Sequence, residues 1–146
     1  MQQQNDSPAL TSEEQVRELA SLFIRMSEAI HHALRELAGS RSQNAASAYA
    51  LLTEEYALRS RANMLMIEAS RFARPGLTIT QQEMLNTIDA MHSKLKGAHT
   101  LEELTEIIIG VVLFANSIAS QKNHIVTFLL NDLKSSVDKF DTIAEK

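Results

Sequence analysis

The chain has no cysteine and no tryptophan, and only two prolines and four glycines in 146 residues. The missing cysteine excludes disulfides, thiolate nucleophiles and Cys-based zinc sites. Glycine this scarce builds no Gly-rich phosphate cradle, and no Ser–His–Asp arrangement is apparent. An excess of positive charge is lacking as well. The net charge is −4 and the pI about 5.7, which argues against a general affinity for nucleic acid or anionic lipid. The opening "MQQQNDSPAL" has neither a basic start nor an apolar stretch, so the usual signal peptide is not expected. The expected compartment is the cytoplasm, and leaderless export is compatible with so polar a start.

What is present is ordinary for a soluble globular protein: 45% hydrophobic and 22% charged residues. The length fits one domain. We expect a flexible polar tail over 1–10 and a single domain over 11–146. All eight arginines fall in residues 1–75 and all six lysines in 76–146, while the acidic residues divide nine and nine. This reads as two solvated faces.

The few prolines and glycines act as punctuation. "TSEEQ" offers Thr11–Glu14 or Ser12–Gln15 as a capping box. Val16, Leu19, Phe23, Met26, Ile30, Leu34 and Leu37 then step by three and four along one helix face, and Gly39 follows as a cap. A second helix is expected from Ala45 to Ala73. Its stripe is Ala48, Leu51, Leu58, Ala62, Leu65, Ala69 and Phe72, with Tyr49, Leu52 and Tyr56 widening the face. Pro75-Gly76 ends it. Thr80–Glu83 opens a shorter helix with Met84, Leu85, Ile88, Met91 and Leu95 inside and Gly97 at its end. Thr100–Glu103 opens a last helical region, Leu101 to Ala144. As one helix this region would extend about 65 Å. Its only plausible break is "SQKN", and the absence of a breaker residue there favours continuity. The expected fold is all-α: an antiparallel bundle of four or five helices with a long C-terminal helical region.

Within that region lies the most apolar run of the chain, Ile107 to Ala115. A spanning helix needs about 20 mostly apolar residues, and Asn116, Ser117, Ser120 and Gln121 dilute this one too early, so no membrane span is expected. A hairpin of Ile107–Phe114 with Ile125–Leu130 is the competing strand reading, but the connection lacks turn residues and an isolated hairpin is marginal in water. A helix here is apolar around its whole circumference and must be surrounded, by its own bundle or by a partner. Gly110 in mid-helix costs about 1 kcal/mol against alanine, which close approach of another element would offset. The expected division has the first half in the core and the part beyond Ala115 facing a partner. The candidate partner or oligomer interface is Ile108, Gly110, Val112, Ile118, Ile125, Leu129, Leu133 and Phe140.

Polar chemistry is sparse. "EAIH" sets Glu28 and His31 three apart on one helix face, the local arrangement that di-iron bundles use, and "DAMH" repeats the spacing with Asp89 and His92. Glu55 interrupts the apolar stripe of the second helix and, in an antiparallel pair, lies opposite Ser27, Glu28 and His31. A buried carboxylate there needs a partner. The candidate metal ligands are therefore Glu28, His31, Glu55 and His92, with a Glu55–His31 hydrogen bond as the simpler expectation. "RMSEAIH" (Arg25–His31) is similar in its Arg-x(4–6)-His spacing to HEPN-type ribonucleases, which are helical bundles. That match covers seven residues, and no activity follows from it. The four arginines of "RSRANMLMIEASRFAR" point in several directions, and the methionines read as core filler.

Taken together, these features predict a protein without catalytic residues or cofactor. It would bind another protein as an adaptor, chaperone, immunity or inhibitor protein, or regulator, and act as a homodimer. A metal-binding, ferritin-like bundle is the alternative.

Overall fold

A computed structural model of the chain describes residues 7–40, 45–98 and 100–145, with side chains described over 7–37, 46–98 and 100–139. Six α-helices occur among the described residues: α1 (Glu13–Ser40), α2 (Ala45–Ile67), α3 (Ala69–Phe72), α4 (Gln81–Lys96), α5 (Leu101–Ser120) and α6 (Asn123–Glu145). The only β pairing among them is an isolated bridge between Pro8 and Thr80. The fold is an all-α bundle, and the hairpin alternative for the apolar run is not formed.

The apolar stripes of the sequence form the core. Val16, Leu19, Phe23, Met26, Ile30 and Leu34 of α1 are fully buried, as are Ala48, Leu58, Ala62 and Leu65 of α2. Ser12 accepts the backbone N–H of Gln15 at 3.2 Å, and the Gln15 amide oxygen accepts Thr11 N–H at 2.7 Å, so the cap of α1 is built on Ser12 and Gln15. Gly39 lies within the last turn of α1 instead of beyond it. The Thr80 hydroxyl caps α4 through Glu83 N–H at 3.0 Å, and Thr100 with Glu103 forms the full reciprocal box of α5.

Consecutive long helices run antiparallel, and α1 and α4 run side by side in the same direction. Gln81, at the start of α4, bonds to the Gln15 carbonyl and Glu18 carboxylate near the start of α1. Leu95 and Lys96 at its far end share a cavity with His32 and Glu36. The helix α5 touches α1, α2, α4 and α6. Phe23 of α1 and Phe114 of α5 meet edge to face at its centre, with ring centroids 6.1 Å apart.

Three expectations are corrected. First, the C-terminal region is two helices. Gln121 closes α5 in the left-handed conformation (φ 63°, ψ 22°), at a cost of about 1–2 kcal/mol for a non-glycine residue. Bonds to α3 and the loop after it offset it: Gln121 Nε2 donates to the Arg71 carbonyl at 3.0 Å, Asn123 Nδ2 to the Pro75 carbonyl at 3.0 Å, and the Arg74 guanidinium to the Ile118 carbonyl. Gly76 (φ +97°) makes room, since a Cβ there would lie 2.9 Å from Asn123 Nδ2. After the break α6 folds back along α5, and a Cβ on Gly110 would come within 3.0 Å of Leu133 Cδ2. The glycine thus admits a side chain of α6 at a tight crossing.

Second, the helix expected over Ala45–Ala73 is interrupted at Glu68 (φ −109°, ψ 36°), which separates α2 from the single turn of α3. Third, the end of the supposed polar tail is part of the core. Ala9 and Leu10 are fully buried, Ala9 N–H donates to the Ile79 carbonyl at 2.9 Å, and Gln81 N–H donates to the Ser7 carbonyl at 3.0 Å. Residues 1–6 of that tail lie outside the described residues.

Residues 7–10 thus form a strap across the start of α4, and this strap depends on Gln81. Its fully buried amide accepts Leu10 N–H at 3.1 Å and donates to the Gln15 carbonyl at 3.0 Å. Gln81→Leu keeps the volume and strands these groups, so it should cost about 1–3 kcal/mol in urea denaturation. The neighbouring, less buried Gln82→Ala should change stability by no more than about 0.5 kcal/mol.

Candidate interaction surface

The second helix is free of charge on its outer side. Its inner face carries the core stripe. On the outer face Ala46, Tyr49, Thr53, Tyr56, Ser60, Asn63 and Ile67 follow strict alternating steps of three and four, and all are exposed. At 3.6 residues per turn they share about 100° of arc. The four charged residues of α2, Glu54, Glu55, Arg59 and Arg61, all lie outside that arc. Tyr49 and Tyr56 are 65% and 72% exposed and Ile67 is 78% exposed. The two tyrosines therefore do not widen the buried face as expected; they stand in solvent. A charge-free seam with this spacing has the geometry by which one helix packs on another.

The residues named from sequence as an interface are placed differently. Ile108, Val112, Ile118 and Leu133 are buried within the chain itself. Gly110, Ile125 and Leu129 are half-buried, and the side chain of Phe140 lies outside the described residues. The exposed apolar residues near them are Ile109, Leu113 and Phe128. Beyond Ala115, Ser117 and Ile118 are buried, whereas Ile109 and Leu113 in the first half face out. By length and composition α5 could cross a membrane, but half of its apolar window is buried inside the bundle.

The proposed metal ligands do not converge. Glu55 is buried, and both its oxygens are occupied: Oε1 by His31 Nδ1 at 2.8 Å and Oε2 by Arg59 Nε at 3.1 Å. Glu28 is exposed. His92 lies among Lys96, Asp89 and Arg25. Among the described residues no three His, Asp or Glu side chains come together to hold a metal ion. The Glu55 arrangement is a bridge between α1 and α2, and Arg59, four residues along the same helix, is the partner that sequence reasoning missed.

No protein-family model, curated protein or solved structure matches the chain.

Because His31 and Arg59 are partly exposed and can return to water, Glu55→Leu should leave stability within about 1 kcal/mol of the parent. Removing both partners with His31→Ala and Arg59→Ala strands the carboxylate and should cost about 1–3 kcal/mol; chemical denaturation measures both. Burial, then Lys96, lower the His92 pKa against the opposing Asp89, and Arg25 lowers it further. As pH falls below about 6.5 the unfolded chain takes up this proton first, so the folded state loses stability there and gains nothing above it. In an NMR titration His92 should therefore titrate below a histidine of the denatured chain, and His92→Gln should flatten that part of the acid decline.

Proposed function

We propose that this protein is a non-enzymatic protein–protein interaction module that docks its partner on the outer face of α2. The observation that carries the reading is the run of exposed, uncharged residues from Ala46 to Ile67 at alternating three- and four-residue spacing. Large exposed apolar side chains are common singly and need no explanation. A full helix face with no charge, carrying two tyrosines, is different, because tyrosine is enriched and charge depleted at interface cores. Adaptor, chaperone, inhibitor and regulator roles all use such a face.

The buried polar groups support a structural role for the rest of the molecule. Glu55 is the only charged residue among the buried ones described, and it is committed to His31 and Arg59.

The test is comparative capture from the native host with the parent chain and with Tyr49→Lys/Tyr56→Lys as baits. Both tyrosines are exposed, so the variant should retain the parent's helical circular dichroism and melting temperature. The expected result is a specific partner, this chain included, held by the parent and lost by the variant. Identical capture by both baits contradicts the assignment of α2 as the docking face.

A further inference from the structure

We propose that the occupant of this face is a second copy of the same chain, its α2 lying antiparallel across the first. The proposal rests on the reading of α2 as the docking face. A charge-free helix face calls for a charge-free face opposite, because a charged group buried there would lose its hydration without a partner. The face itself meets that requirement, and in a chain of net charge −4 it is where two copies approach with least repulsion.

Side-chain size then selects the direction and register. Along the seam large and small residues alternate: Tyr49, Thr53, Tyr56, Ser60. A parallel pair in register sets tyrosine on tyrosine and hydroxyl on hydroxyl. An antiparallel pair centred between Glu54 and Glu55 sets Tyr56 against Thr53 of the second copy and Tyr49 against Ser60 of the second copy, so that each ring fills the space beside a small residue. Each phenolic O–H then lies within reach of an aliphatic hydroxyl, which gives it a hydrogen-bond partner when buried. Arg59 borders this seam on one side. Held by Glu55 at 3.1 Å, it lays its stem beside Leu52 of the second copy and does not face another arginine. The overlap of the two faces in this register, Ala46 to Asn63, is about 27 Å long and falls at the small end of specific interfaces, so the dimer is reversible and of micromolar strength.

The absence of cysteine makes the register directly testable. Sedimentation velocity of the full chain should show a monomer–dimer equilibrium across the micromolar range, and Tyr56→Lys should weaken it at least about tenfold with unchanged thermal melting. An equimolar mixture of Thr53→Cys and Tyr56→Cys chains should oxidise to a cross-linked dimer faster than either variant alone. A monomer at all these concentrations overturns the proposal, as does a dimer indifferent to Tyr56→Lys. Faster cross-linking of each single variant with itself overturns the antiparallel register. A strictly monomeric chain that still captures a different protein through Tyr49 and Tyr56 would leave α2 as the docking face and remove the second copy; loss of both results would remove the docking face too.

Discussion

A helix that is apolar on every side has to be surrounded, and most of this structure follows from meeting that constraint along α5, except at Ile109 and Leu113, which face out. Ile107, Ile108, Val111, Phe114, Ala115 and Ile118 are all fully buried, and burial on this scale, at about 25 cal/mol per Å² of apolar surface, is the largest favourable contribution a bundle has. No single neighbour can cover the circumference. The helices α1, α2 and α4 take part of it, and α6 takes the side of Gly110. Cover by α6 requires the chain to reverse after Ser120. The left-handed Gln121, the bonds from Gln121 and Asn123 to the segment before α4, and the bond from Arg74 of that segment to the Ile118 carbonyl are what hold that reversal in place.

The same constraint is only half met for α2. Its inner stripe packs against α1 and α5, but its outer face from Ala46 to Ile67 is neither charged nor covered by any described residue. A surface helix of a self-contained bundle would carry lysine and glutamate there. The proposed docking face is the one place where the packing of α2 is left unfinished. This is why the proposal rests on α2 and not on the most hydrophobic helix, most of whose apolar residues, Ile109 and Leu113 apart, serve the chain's own core.

Much of the fold was legible because its determinants are local. The three-and-four stripes, the Ser12 and Thr100 caps and the Pro75-Gly76 stop each depend on residues within a turn or two. Glu55 stood out as a carboxylate on an apolar stripe, and His31 was foreseeable opposite it. What could not be read depends on partners far along the chain. The break at Gln121 contains neither glycine nor proline and is stabilised by the carbonyl of Arg71, 50 residues away. The strap at Leu10 is held by Gln81 across 71 residues. Periodicity identified the inward stripe of α2, from Ala48 to Leu65, but it could not show that Tyr49 and Tyr56 stand in solvent, because that depends on where the neighbouring helices end their cover.

The claim that the bundle is organised around α5 is tested most directly by native-state hydrogen exchange resolved by residue. Amides from Ile107 to Ile118 should exchange only through global unfolding, with the free energy measured by denaturation and the same denaturant dependence. Exchange of these amides through a local opening, with a free energy well below that of global unfolding, would contradict the account: it would mean that the apolar helix is not enclosed by its own chain.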